Sequence, residues 1–90
     1  MRYAIIAHDR PTALQIRLDN RAAHLNYVET TGVVEEAGPF LDGAGQMCGS
    51  LLILKVDTMQ AAQDWAAGDP YAQADLFQTV SIQPWKKVIG

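Results

Sequence analysis

The spacing of apolar and polar positions switches repeatedly along this chain, and each switch predicts an element. Residues 3–8 form a short Ile-rich run ending at Asp9-Arg10-Pro11, which reads as a strand followed by a turn. The period then lengthens to that of a helix over residues 13–29. Leu14, Leu18, Ala22, Leu25 and Val28 recur at spacings of four, four, three and three and draw one apolar stripe. Thr12 reads as the N-cap, with Gln15 three residues on as in a capping box. Gly32 suits a left-handed cap at the other end.

Residues 33–40 read as a second strand interrupted by Gly38-Pro39, near an edge or its own end, because proline removes a ladder donor. A flexible connection over 41–45 leads into a third strand, 46–56, with Gly49 a possible bulge. The short link predicts a hairpin. Asp57 as N-cap, with Gln60 following, opens a second helix whose apolar side is Ala62, Trp65 and Ala66 and which Gly68 ends. Asp69-Pro70 starts a further helical turn through Ala74. Residues 76–83 make the fourth strand, closed by Pro84-Trp85.

Strand, helix, strand, strand, helix, strand is the ferredoxin-like βαββαβ arrangement of the α+β class, a four-stranded antiparallel sheet with both helices on one face. One domain, residues 1–90, holds all of it. In the first strand Tyr3, Ile5 and Ala7 face one way and Ala4 and Ile6 the other; in the third, Leu51 and Ile53 oppose Leu52 and Leu54. Both faces are apolar, so both need cover, and a second copy packing sheet to sheet would supply it. A chain this short buries only roughly 60–65% of its unfolded surface, which a homodimer would improve.

Composition changes the picture mainly by exclusion. With 49% hydrophobic and 19% charged residues the chain reads as an ordinary globular domain. Its net charge of −3 and its scattered basic residues offer no footprint for nucleic acid. No run approaches a membrane span, the start does not read as a secretory leader, and a cytoplasmic address fits. The single cysteine, Cys48, excludes an internal disulfide and reads as a buried structural thiol rather than a nucleophile.

Candidate chemistry lies beside the apolar stripe of the first helix. Arg17, Arg21, His24 and Tyr27 follow one another at spacings of four, three and three. A solvated face would explain the arginines, and a structurally satisfied ring would explain His24. Asp69 before Pro70 is first of all a helix cap. His8, at the end of the first strand beside Asp9, is an exposed loop residue or lines a pocket mouth. No H-x-x-x-H spacing, glycine-rich phosphate loop or serine nucleophile motif occurs, so neither a metal nor a nucleotide cofactor is expected.

The series Arg21-Ala22-Ala23-His24-Leu25-Asn26-Tyr27, Gly32, Ala37-Gly38-Pro39-Phe40, Gly49-Ser50, Asp69-Pro70-Tyr71 and Val80-Ser81-Ile82-Gln83-Pro84-Trp85 resembles the YCII family over nearly the whole chain. The resemblance implies a dimeric α+β barrel with a His24–Asp69 pair as the candidate catalytic group. It matches Arg21, with Arg17 one turn earlier, to the family's helix arginine, and Asp9 to its acidic residue after the first strand. With His8, Tyr27 and Ser50 these complete the candidate substrate-binding set. The wider superfamily holds muconolactone isomerase-like enzymes, and some YCII-like members look like dehydrohalogenases. An aspartate fixes the imidazole tautomer and leaves the other ring nitrogen free to take a proton. That implies a cofactor-free lyase or isomerase acting on a small organic catabolite. The alternatives are a non-catalytic small-molecule binder using the same pocket and an accessory subunit of another enzyme.

Overall fold

A computed structural model describes residues 1–90. The elements are β1 (Arg2–Asp9), α1 (Leu14–Thr31), β2 (Val34–Leu41), β3 (Met47–Lys55), α2 (Met59–Gly68), α3 (Pro70–Gln73) and β4 (Phe77–Trp85). The four strands form one antiparallel sheet in the order β2-β3-β1-β4. This is the ferredoxin-like arrangement the element order predicts. No helix is long and apolar enough to cross a membrane.

Pleating sorts the central strands. Tyr3, Ile5 and Ala7 of β1 pair with Leu54, Leu52 and Ser50 of β3 and point toward the helices. Tyr3, Ile5, Leu52 and Leu54 join Ala62 and Trp65 of α2 in the main core. A smaller cluster of Ala13, Tyr71 and Leu76 lies where the loop before α1 meets α3. By alternation Ala4, Ile6, Leu51 and Ile53 occupy the opposite face, which no helix covers. Phe40 and Gly38 of β2, paired to Gly49 and Leu51, extend that open face.

Several local signals resolve differently from the sequence reading. Thr12 is not the cap of α1. It sits at φ 58° and donates to the Pro11 carbonyl, and Gln15 bonds Asp19 instead of the helix start. Ala13 takes the cap position without any side-chain bond, because its methyl packs against Tyr71 and Leu76. Packing there outweighs a cap typically worth ~1 kcal/mol. At α2 the cap is Thr58, not Asp57: its hydroxyl accepts from the Ala61 amide at 3.1 Å. Gly32 is left-handed as expected, φ 67°, with its amide on Val28.

Gly38-Pro39 does not interrupt β2, and β4 runs on through Pro84 to Trp85. Both are edge strands, where an absent N–H need not break a ladder. The link 42–46 is pinned rather than loose, since Asp42 Oδ1 accepts from the amides of Ala44 and Gln46. The irregularity expected at Gly49 falls next door, where pairing steps from Phe40–Gly49 to Leu41–Met47 and leaves Cys48 unpaired and half-buried instead of in the core. Gly49 is needed for close approach: a Cβ there would collide with the Ala7 carbonyl oxygen.

The largest departure is the face that α1 buries. Its buried residues are Arg17 and His24, while Leu18 and Leu25 of the apolar stripe are 48% and 46% exposed. Arg17 and His24 of the polar stripe point inward, and of the apolar stripe Val28 packs against the core.

Candidate active site

The inward stripe of α1 roofs a cavity of about 180 Å³ between α1 and the β2–β3 hairpin, closed at one end by α3. Its polar lining is Arg17, Arg21, His24, Ser50 and Tyr71; Leu25, Ala37, Pro39 and Met47 supply the apolar wall.

Arg17, 2% exposed, is held at the base of this cavity. Its Nε and Nη2 donate to the two oxygens of Asp9, each at 2.8 Å, and Nη2 also donates to Ser50 Oγ at 3.0 Å. The two-residue period of β1 turns Asp9 to the helix side, in line with Ala7 and opposite to His8. A buried pair survives when both ions are fully bonded, and the fork geometry of arginine on carboxylate achieves that. Burial pulls the guanidinium down, but the Asp9 bonds and charge, with Tyr71 adding, outweigh it and raise the group above its ordinary value.

His24 and Asp69 form the second buried pair. His24 Nδ1 lies 2.7 Å from Asp69 Oδ1, the two side chains 9% and 3% exposed. The same oxygen accepts the Tyr71 amide at 2.9 Å, so Asp69 caps α3 and holds the histidine together. An ionised carboxylate only accepts, so Nδ1 carries a proton, and in the neutral ring Nε2 then presents the lone pair. Nε2 has no protein partner, and His24 lines the cavity. Pro70 at the first helical position presets the turn that brings Asp69 into place.

Tyr71 received no role from the sequence beyond its place in the Asp-Pro-Tyr turn. Its ring stacks on His24, centroids 4.0 Å apart and planes 12° from parallel, and Arg17 Cζ lies 4.8 Å from its centroid. Burial pushes its phenol up, and Arg17 and Arg21 pull it back only in part. Arg21 is exposed, makes no ion pair, and offers the cavity an uncommitted cation.

The remaining candidates lie elsewhere. Tyr27 donates its hydroxyl to the Trp65 carbonyl at 2.8 Å and packs its ring on Trp65. Gly68 makes room for it, since a Cβ there would come within 2.5 Å of the Tyr27 hydroxyl. Burial, with the Asp69 charge, pushes the Tyr27 phenol up. His8 stands exposed on the open face, stacked on Phe40 at 5.7 Å across Gly49. The fold thus gathers His24, Asp69, Arg17, Arg21, Asp9 and Ser50, and leaves Tyr27 and His8 outside the cavity.

Fold and site together define a small ferredoxin-like α+β protein with a histidine–carboxylate pair facing a cavity with a cationic rim. The YCII-related domain matches residues 1–86, and the chain belongs to that family. It is 38% identical over 97 residues to "Protein YciI" of Escherichia coli O6:H1, covering 98% of this chain and 99% of that protein. It is 36% identical over 100 residues to an uncharacterized protein of Haemophilus influenzae, with the same coverage. Among solved structures it is similar to 5-chloro-2-hydroxyhydroquinone dehydrochlorinase (TftG) from Burkholderia phenoliruptrix AC1100, in complex with 2,5-dihydroxybenzoquinone. That match has a TM-score of 0.89 at 34% identity, over 96% of this chain and 94% of the other. An antibiotic biosynthesis monooxygenase shares the fold at a TM-score of 0.61 and 12% identity, over 99% of this chain and 100% of the other.

Proposed function

We propose that this protein is a small enzyme that uses His24 and Asp69 to move a proton on a small organic catabolite. The reaction is elimination of HCl from a chlorinated hydroxyquinone- or lactone-like compound, or an isomerisation of one. A single observation carries the reading: a buried imidazole held at 2.7 Å by a carboxylate, with its other nitrogen open to a cavity. The similarity to a dehydrochlorinase at 34% identity supports the substrate class. In this scheme Nε2 takes a proton from the bound ring compound, the released electron pair forms the new double bond, and chloride departs. Arg21 stabilises the oxyanion that develops, while Arg17, fixed by Asp9 and Ser50, holds the cavity base.

The test is chloride release from 5-chloro-2-hydroxyhydroquinone by wild-type protein and by His24→Ala. Turnover that rises through about pH 6–7, as for an imidazole base, and is lost in the variant supports the reading. Stabilisation by 2,5-dihydroxybenzoquinone without chloride release would favour the second reading, a non-catalytic binder. One observation favours that second reading: Asp69 Oδ1 already accepts the Tyr71 amide, as a plain cap would.

We further propose that the working form is a homodimer. Ala4, Ile6, Leu51 and Ile53 form an apolar centre on the sheet face that no helix covers, and Phe40 extends it. Leu51 there is 36% exposed and Ile6 is half-buried, while Ala4 and Ile53 are already buried in the single chain. Sedimentation that gave a well-folded monomer at micromolar concentration would sink this assembly.

A further inference from the structure

We infer that Tyr71 is the positioning residue of the His24–Asp69 pair, acting through the face of its ring rather than its hydroxyl. Its effect on turnover rests on the catalytic reading of His24; its effect on ring alignment does not.

Tyr71 touches both ends of one hydrogen bond. Its backbone amide donates to the Asp69 oxygen that meets Nδ1, and its side chain lies flat against the imidazole at 4.0 Å. The amide sets where the carboxylate oxygen sits. The ring sets the plane in which the imidazole lies. A hydrogen bond to Nδ1 alone leaves the imidazole able to swing about the bond axis, which would carry Nε2 out of the cavity. A stacked ring 12° from parallel blocks that swing on one side.

The phenol ring is itself immobilised. It is 3% exposed and packed with Ala13 and Leu76. Phe77 meets it edge-on at 6.1 Å, and the Arg17 guanidinium, fixed by Asp9, lies over it. The restraint therefore runs from β4 and the base of the cavity through one aromatic ring to His24.

The experiment is histidine-selective ¹⁵N NMR in a His8→Gln background, which leaves His24 as the sole histidine. It reads the Nδ1–H resonance, its exchange with water and the tautomer ratio. Wild-type protein and Tyr71→Phe should show one slowly exchanging Nδ1–H form. Tyr71→Leu, which keeps the backbone amide and the apolar bulk, should exchange roughly 2- to 10-fold faster and drift toward a mixed tautomer, in proportion to a lost stacking contact. In turnover of 5-chloro-2-hydroxyhydroquinone, kcat of Tyr71→Leu should fall by at least a similar factor. An unchanged Nδ1–H signal in folded Tyr71→Leu overturns the inference. So does loss of that signal in Tyr71→Phe, which decides the matter even where Tyr71→Leu does not fold. Absence of turnover in the wild-type protein would count against the enzymatic reading alone, because the NMR arm needs no substrate reaction.

Discussion

The two histidines of this chain occupy opposite faces of one sheet and have opposite surroundings. His24 is 7% exposed, bonded to Asp69 at 2.7 Å and stacked on Tyr71 at 4.0 Å. His8 is exposed, lies loosely over Phe40 at 5.7 Å, and has no carboxylate partner. Imidazole is the same group in both places. What differs is that the turn at Asp69-Pro70-Tyr71 supplies both a carboxylate and an aromatic face to one of them. A histidine becomes a candidate acid–base group when its tautomer and plane are fixed from outside, and only His24 meets that condition.

The sharpest way to break this comparison is to remove each ring in turn. His24→Ala is expected to cost roughly 10²–10⁴-fold in turnover, the range for a positioned acid–base group, whereas His8→Ala should stay within a few-fold. Equal losses in the two variants, read as kcat/KM of chloride release, would erase the distinction.

The next effect is on stability. Arg17→Leu would strand Asp9 in the interior, and breaking a buried pair in this way costs about 3–5 kcal/mol. Urea denaturation should show it, and Asp9→Asn with Arg17→Leu together should recover part of the loss. No substitution around His8 should approach it.

Asp69 separates two roles on one side chain. Asp69→Asn keeps an oxygen for the Tyr71 amide and should change stability little, while removing the charge that supports the imidazole and lowering turnover. Asp69→Ala should lose both, with about 1 kcal/mol from the cap. Full activity in Asp69→Asn would make the carboxylate a cap only, and Asp9 offers no substitute because Arg17 occupies both its oxygens.

Cys48→Ala should leave turnover within a few-fold, since the half-buried thiol sits at the register break and is not among the residues lining the candidate site. The smallest effect is expected from Glu35→Gln. The Arg2 hydrogen bond holds the Glu35 carboxyl below its ordinary value. A depressed carboxylate contributes stability above its unfolded pKa and loses it as pH falls through the folded one. The slight gap in melting temperature between wild type and Glu35→Gln should therefore exist at neutral pH and close in acid, and a gap that widened in acid would contradict the sign.

Much of this architecture is written locally. The element order, the left-handed Gly32 and the short helix after Pro70 follow from residues within a few positions of where they act, and so does the apolar pattern on both faces of β1 and β3. Two misplaced features were local too, and one of them lost to packing. Thr12 yielded the cap position to Ala13, whose methyl is buried beneath Tyr71. Asp57 yielded to Thr58 by a single residue.

The orientation of α1 is a different matter. Periodicity alone favours burying Leu14, Leu18, Ala22, Leu25 and Val28, yet the buried residues are Arg17 and His24. Each buried polar side chain of that stripe meets a carboxylate from another element, Arg17 meeting Asp9 at the end of β1 and His24 meeting Asp69 at the start of α3, 45 positions away. A hydrophobic pattern registers only what each residue loses or gains against water. It contains no record of a partner that arrives through the fold, so the sequence by itself determined the strands and helices, and only the tertiary structure decided which face of the first helix became the candidate site.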